Sequence, residues 1–195
     1  MSFEEIADRL RNSLTEERFA HTMGVADTAE SLALRYGCDV NKARLAALCH
    51  DCAKNIDHQE MKKLCRKYAI RLDSVSKHEP KLLHAYVGAY LAKDVFGIDD
   101  DEIFDAIYYH TTGKKNMSLL CKIIFLADMI EPGRKNLQFL EEIRRTAYID
   151  LDKAIIMEID STITYIIGKK RLLHPDTIKA RNYLMETRKD LDYGN

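Results

Sequence analysis

The chain has 195 residues, of which 46% are hydrophobic and 31% charged, with a net charge of −1. This composition is typical of a soluble globular protein and argues against a protein that coats nucleic acid or an acidic membrane. No apolar run is long enough to span a bilayer, and the acidic first residues do not resemble a targeting segment. Five cysteines without a framework spacing favour a reducing compartment, so we expect a cytoplasmic protein.

The spacing of apolar residues predicts an all-α fold. They recur mostly every three or four positions, and the chain contains only three prolines and eight glycines. There is no internal repeat and no linker rich in glycine, proline or serine. We therefore expect one helical domain over residues 1–195. Its first helix carries an apolar stripe of Phe3, Ile6, Leu10 and Leu14.

Capping and turn residues predict the boundaries of the next helices. These are, in chain order, residues 15–36 with Thr15 first and Gly37 as the stop, a helix capped by Asn41 that carries His50 and Asp51, and a helix opened by Asp57 and Glu60 that reaches Tyr68. A loop is expected over residues 70–77.

The second half of the chain continues the helical pattern. The predicted elements are a helix from Pro80 to a stop at Gly97, a helix over 103–110 with an acidic first turn at 99–102, a helix over 119–130 capped by Ser118, a turn at 131–133, and helices over 137–146, over 151–167 and after His174-Pro175. The long helix over 151–167 either covers the core or forms a dimer face, so a homodimer is one expectation.

Histidines and acidic residues interrupt several of the apolar helical stretches. A His50-Asp51 dipeptide carries no weight by itself, but His21, His84 and His110 share the same kind of context. Asp128 lies in a nearly unbroken apolar run, where an ionised carboxylate is costly unless it is paired or bound to a metal. A single core histidine is usually a hydrogen-bonded structural residue. The repetition in separate helices favours a metal site instead.

Imidazole and carboxylate together form a mixed nitrogen and oxygen ligand set. Such a set suits iron, manganese, cobalt or zinc, and it is too rich in nitrogen for a magnesium site. We expect iron, as one or two ions. Cys49 and Cys52 flank the His50-Asp51 pair with C-x-x-C spacing, but they fall towards the end of an apolar helix and no second thiol pair exists. We interpret them as packing residues.

The order of these residues resembles the H…HD…H…H…D pattern of the HD-domain metal-dependent phosphohydrolases. Longer motifs narrow the resemblance to the symmetrical bis(5'-nucleosyl)-tetraphosphatases of the YqeK type. These motifs are LHAYVGA at 83–89, YHTTG at 109–113, FLAD at 125–128, EPGR at 131–134, HPDT at 174–177 and ARNY at 180–183. The similarity covers about residues 15–185. That family usually has a non-thiol residue beside the His-Asp pair, whereas this chain has a cysteine on each side, which raises the question of sensitivity to oxidation.

The resemblance implies a helical HD-domain bundle with a metal site in its core. It also implies hydrolysis of diadenosine tetraphosphate in the middle, which releases two ADP molecules. The implied primary metal ligands are His21, His50, Asp51 and Asp128. Asp51 would bridge to a second metal held by His84 and His110, and with only one metal these two histidines would contact phosphate and act in catalysis directly.

Further residues are candidates for contact with the polyphosphate. Lys54 follows the His-Asp pair by one helical turn and would reach a phosphate oxygen, although a solvated lysine at a helix end is an equal alternative. Arg134 and Arg18 offer a guanidinium fork that matches phosphate geometry. The remaining candidates are Thr111, Thr112 and Gly113 beside His110, and the more distant His174 and Arg181.

Three other functions fit the same ligand pattern. An HD-type enzyme with this site would hydrolyse a different nucleotide, a di-iron oxygenase would consume oxygen, and a nucleotide sensor would bind without catalysis. The longer motifs, rather than the ligands, favour the dinucleoside tetraphosphate.

Overall fold

The computed structural model describes residues 1–135 and 139–188, and every regular element in that part of the chain is helical. The α-helices found there are α1 (Phe3–Ser13), α2 (Glu16–Tyr36), α3 (Val40–Cys49), α4 (His58–Lys67), α5 (Ser74–His78), α6 (Leu83–Asp94), α7 (Asp101–Tyr108), α8 (Leu119–Ile130), α9 (Leu140–Ala147), α10 (Leu151–Gly168) and α11 (Pro175–Thr187), with a 3₁₀ turn at Pro80–Leu82. The predicted all-α fold is confirmed. Within the same residues, no helix combines the length and apolar character that crossing a bilayer requires.

Most helix boundaries follow the predicted capping residues. Thr15, Asp57 and Ser118 each begin a helix by accepting a backbone N–H two or three residues further on. Gly37 ends α2 with a φ of +72°, a left-handed conformation that glycine adopts without steric cost. Residues at the helix ends therefore determine most of the helix boundaries.

Two boundary predictions are wrong, and one segment predicted as a loop is partly helical. The side chain of Asp39, not Asn41, caps α3, because Asp39 accepts the N–H of Lys42 at 3.0 Å. Residues 70–77 overlap α5, whose first turn is capped by Asp73. The helix predicted over 103–110 ends at Tyr108, so His110 lies just beyond α7.

Two further element predictions fall near the gap in the described residues. The helix predicted over 137–146 is observed as α9, and its predicted first residue, Leu137, lies outside the described residues. The predicted turn at 131–133 is present, with the N–H of Arg134 donating to the carbonyl of Glu131 at 3.1 Å.

Helix α8 lies at the centre of the fold. Helices α2, α3, α7 and α10 all pack against it. Ile123, Ile124 and Leu126 are consequently fully buried, which explains why this helix is apolar on nearly every face. Asp128, near the C-terminal end of α8, is thereby brought next to residues from α2 and α3.

Helix α10 changes character along its length. Its first half packs Ala154, Ile155 and Ile159 into the core. This agrees with the predicted alternative in which the helix covers the core. In its second half Tyr165 and Ile167 are 60% and 63% exposed. The homodimer remains a prediction.

A single acidic side chain, Glu158, points from α10 into the interior. Its Oε1 accepts a hydrogen bond from the Thr162 hydroxyl at 3.1 Å, and its Oε2 is buried without a hydrogen-bond partner among the described residues. Burial raises the pKa of Glu158 to about 8, and the negative charge of Asp128 acts in the same direction. The side chain is therefore neutral in the folded protein at neutral pH.

We expect stability to depend on pH through Glu158. The ordinary pKa of a glutamate is 4.5 and that of Glu158 in the folded protein is about 8. The folded state therefore holds this proton more tightly than the unfolded state, and the resulting contribution to the free energy of unfolding is complete below pH 4.5 and is lost as the pH rises to 8. The E158Q variant, which cannot ionise, should gain stability relative to wild type by about 1.4 kcal/mol per pH unit in that window. Urea unfolding of metal-free protein at several pH values measures this difference. E142Q, at an exposed position of α9, is the matched control. If the difference in free energy of unfolding between E158Q and wild type does not change with pH, the prediction is contradicted.

Candidate metal centre

Six side chains that the sequence singled out lie together in the core. They are His21 from α2, His50 and Asp51 from the end of α3, His84 from the first turn of α6, His110 from the end of α7, and Asp128 from α8. All except His21 and Asp128 are buried to 5% exposure or less. The helices that surround α8 thus bring residues more than 100 positions apart into one cluster.

Asp51 lies between two groups of donor atoms. Its Oδ2 is 3.9 Å from His21 Nε2 and 3.6 Å from His50 Nε2, and its Oδ1 is 3.0 Å from His84 Nε2 and 3.7 Å from His110 Nε2. Asp128 Oδ1 joins the first group, at 3.1 Å from His21 Nε2. Donors bound to one ion at about 2.1 Å lie roughly 3–4 Å apart, so this spacing matches that of metal ligands.

Each imidazole ring is held in place by its other nitrogen. Nδ1 of His50 lies 2.6 Å from the carbonyl of Ala47, and the rings of His84 and His110 make the same contact three residues back, at 2.5 and 2.7 Å. A carbonyl can only accept, so Nδ1 carries the proton and Nε2 presents a lone pair to the centre of the cluster. This arrangement is typical of histidines that bind a metal.

Three buried polar atoms in the cluster lack hydrogen-bond partners among the described residues. They are His21 Nε2, His50 Nε2 and Asp51 Oδ1. Such atoms are rare in folded proteins because each carries a desolvation cost. All three face the centre of the cluster, and the donor set is the mixed one that transition metals prefer. The residues present therefore fit a bound transition metal.

The protonation states also suit metal binding. Burial lowers the pKa of His50 to about 4, and it lowers that of His84. Both rings are consequently neutral at neutral pH. Burial would raise the pKa of Asp51, yet that pKa is held well below its usual range, and the cations of Arg18 and Lys54 lie against its two oxygens. Asp51 is therefore ionised despite its burial.

Glu131 is part of the site, and the sequence prediction treated it only as a turn residue. Its Oε1 lies 3.1 Å from His21 Nδ1 and orients that ring as the backbone carbonyls orient the others. A Cβ at Gly24 or Gly133 would come within 2.7 or 2.8 Å of Glu131 Oε2. Both glycines are therefore needed for the carboxylate to reach His21. An acidic residue directly after the apolar run of α8 was the available signal.

Three cations lie against the two carboxylates. Arg18 Nη1 is 2.8 Å from Asp51 Oδ2, Lys54 Nζ is 3.3 Å from Asp51 Oδ1, and Arg134 Nη2 is 2.7 Å from Asp128 Oδ1. Their side chains are 31–40% exposed, so each reaches from the cluster to solvent. A cavity of about 630 Å³ opens beside His21, between Arg18 and Arg134. The positive charge therefore surrounds the mouth of the site.

The segment after His110 has mainly a structural position. The Thr112 hydroxyl is buried and donates to the carbonyl of Gly113 at 3.0 Å. Gly113 has a φ of +65°, and a Cβ there would lie 3.1 Å from the Cβ of Ala180. Thr111 is less buried and lines a small cavity. Of the three predicted substrate contacts in this segment, Thr111 and Thr112 both line this cavity.

The two C-terminal candidates make contacts outside the cluster. His174 caps α11, and its Nε2 lies 3.0 Å from Asp73 Oδ2 and 3.4 Å from the Tyr86 hydroxyl. Arg181 pairs through Nε and Nη2 with the carboxylate of Asp160 on α10. Both residues therefore tie α11 to neighbouring elements.

The cysteines beside the His-Asp pair do not contribute ligands to the groups found among the described residues. Cys49 is fully buried in the core, and Cys52 lies with its Sγ 3.6 Å from the carbonyl of Gly88. Burial raises the pKa of both thiols, that of Cys52 to about 12. This geometry agrees with their interpretation as packing residues.

Comparison with known proteins places this site in a family. The sequence model of the HD domain matches residues 18–133, which contain all six clustered side chains. The symmetrical bis(5'-nucleosyl)-tetraphosphatase of Halalkalibacterium halodurans is 47% identical over 88% of this chain and 91% of its own length. The protein of the same name from Bacillus subtilis is 40% identical over 95% and 98% of the two chains.

A solved structure has the same fold. A predicted HD superfamily hydrolase involved in NAD metabolism from Clostridium acetobutylicum superposes with a TM-score of 0.93 at 45% identity, over 96% of this chain and 99% of its own. The predicted HD-type helical fold is confirmed, and so is the prediction of a hydrolase. The chain belongs to the HD-domain family of metal-dependent hydrolases and, within it, to the family of the symmetrical bis(5'-nucleosyl)-tetraphosphatases.

Proposed function

We propose that this protein hydrolyses diadenosine tetraphosphate, or a closely related dinucleoside polyphosphate, symmetrically to two ADP molecules. One water is consumed: its oxygen bonds to one of the two central phosphorus atoms, and the bridging oxygen leaves with the other. The observation that supports the proposal most is the cluster of six side chains able to bind metal, with Arg18, Lys54 and Arg134 paired to its two carboxylates. Relatives that carry the name of this activity support it.

We assign His21, His50, Asp51 and Asp128 as the ligands of the primary metal, with iron as the expected ion. Asp51 directs one oxygen to this group and the other to His84 and His110, which supports a second ion there. A bound metal would supply a water activated at neutral pH and neutralise charge on the phosphoryl oxygens.

The cations around the cluster would orient the tetraphosphate. Arg18 and Arg134 each use one nitrogen on a carboxylate and keep further N–H groups for phosphate oxygens. Lys54 Nζ lies 3.0 Å from His84 Nε2, so Lys54 can donate a hydrogen bond to a phosphate oxygen held beside His84 and His110. Thr111 is a weaker contact. His174 caps α11, and Arg181 pairs with Asp160. We therefore assign these two residues to holding α11 in place and not to contact with the substrate.

The activity is tested with protein loaded anaerobically with iron, manganese, cobalt or zinc. We expect ADP as the only nucleotide product from diadenosine tetraphosphate, because cleavage is central. Formation of AMP and ATP would contradict symmetrical cleavage. Hydrolysis of a different nucleotide alone would favour another HD-type substrate, and oxygen consumption with an organic substrate would favour an oxygenase.

Asp51→Asn should lower kcat/KM by at least about 10³-fold, since both groups of donors share its carboxylate. The substitution keeps the size of the side chain and removes its charge. Steady-state kinetics with the loaded enzyme measure the effect. Asp8→Asn, at an exposed position of α1, is the control and should match wild type. Activity of D51N within tenfold of wild type would refute the assignment, and unchanged function in cells carrying D51N would favour a nucleotide sensor.

Glu131→Gln should weaken metal binding about 10- to 100-fold, because Glu131 orients the His21 ring and increases its basicity. Calorimetric titration with the metal ion measures this affinity independently of catalysis. Glu16→Gln, exposed at the start of the same helix as His21, controls for the loss of a carboxylate. Equal affinities for E131Q and wild type would exclude this role of Glu131.

A further inference from the structure

A second large cavity lies beside the metal centre, on the side of α10. Its volume is about 770 Å³, and its wall includes Met129, Arg134, Phe139, Thr162 and Tyr165. Asp160 also lines it, with its carboxylate paired to Arg181. We refer to it as the α10 cavity. Met129 directly follows Asp128 in α8, and Arg134 contacts Asp128 at 2.7 Å. The α10 cavity is therefore adjacent to the proposed metal ligands.

The wall of the α10 cavity is largely apolar and partly aromatic. Tyr165 is 60% exposed and Phe139 is 36% exposed, and both line the same space with Met129. An exposed aromatic side chain is common on its own, but two that line one cavity beside a metal centre form a surface suited to a flat ring. Thr162 adds a hydroxyl group to this wall.

The other cavities fit a nucleoside less well. The cavity beside His21 has no aromatic side chain in its lining among the described residues. A third cavity, which shares Thr162 and Tyr165 with the α10 cavity, measures only about 160 Å³, below the roughly 300 Å³ of typical ligand sites. An aromatic cavity at Tyr68 and Tyr90 is lined by Asp94 and residues 99–101, all aspartates, which would repel phosphate.

We propose that the α10 cavity binds one nucleoside of the substrate, with its base stacked on Tyr165. Arg134 lines both this cavity and the cavity beside His21, so its guanidinium is placed to direct the attached phosphates to the metal centre. The Lys169 ammonium, 5.8 Å from the centre of the Tyr165 ring, adds positive charge next to that ring. The proposal rests on the proposed function, because it names the site for half of that substrate.

This assignment makes the two halves of a symmetric substrate inequivalent. One nucleoside would lie against Tyr165 and Phe139, while the other half would extend past His21 along a wall that contains Arg18 and Glu131. Affinity for the substrate would then come mostly from one of the two bases. A single ADP should consequently bind to the α10 cavity.

A tryptophan probe tests the stacking contact directly. The chain contains no tryptophan, so Y165W introduces one fluorophore into the α10 cavity. ADP added to the metal-loaded Y165W protein should quench its fluorescence saturably, whereas pyrophosphate, which lacks a base, should not. Y148W places the same fluorophore at an exposed position directly after α9 and should not respond to ADP. No quenching of Y165W by ADP, or equal quenching of both variants, would overturn the proposal.

Kinetics give a second measure. Y165A should raise KM for diadenosine tetraphosphate about tenfold, the usual scale for loss of one stacked base, and leave kcat within about twofold. Y165F keeps the ring and should restore the wild-type KM. An unchanged KM in Y165A, or a Y165F variant as impaired as Y165A, would contradict stacking.

The two sets of results separate the two proposals. If wild-type protein releases ADP from the tetraphosphate but neither Y165W nor Y165A behaves as expected, the nucleoside site is wrong and the proposed function stands. If ADP quenches Y165W while the tetraphosphate is not cleaved, the nucleoside site stands and the proposed substrate is wrong.

Discussion

The metal centre depends on one hydrogen bond that occurs three times. In His50, His84 and His110, Nδ1 donates to the backbone carbonyl three residues earlier. The contact is local, so it is made as soon as each helix end forms. It fixes the tautomer and turns Nε2 towards the interior. The packing of α2, α3, α7 and α10 around α8 then brings the rings together. His21 lies in the second turn of α2, where Glu131 contacts its Nδ1 instead.

The charge on Asp51 is the second constraint. A carboxylate exposed by only 1% would normally take up a proton, yet the ion pairs with Arg18 and Lys54 keep it ionised. Glu158 differs, because that carboxyl is also buried but the Thr162 hydroxyl is its one hydrogen-bond partner among the described residues. The same fold thus holds one acid charged and another neutral, and the number of nearby positive or polar groups decides which.

The sequence was most informative where one residue type determines the local structure. Caps such as Thr15 and Ser118, and the ordered histidines and aspartates, could be recognised without coordinates because their chemistry is rare in apolar helices. The cap at Asp39 was missed because two acceptable capping residues, Asp39 and Asn41, stand two positions apart. Glu131 and the α10 cavity were missed for another reason: both depend on tertiary packing, which brings Glu131 to His21 across 110 positions and sets Tyr165 beside Arg134.

The dispersion of the clustered residues has a consequence for folding. The side chains that would hold an ion come from α2, α3, α6, α7 and α8, and neighbouring positions in the chain supply only the His50-Asp51 pair. An unfolded chain would bind such an ion weakly, so the ion acts as a cross-link that exists only in the native state. At a free metal concentration 100 times the dissociation constant, this linkage adds about 2.7 kcal/mol to the free energy of unfolding, a large part of a typical protein's total. The cofactor would therefore hold the bundle together as well as serve its chemistry.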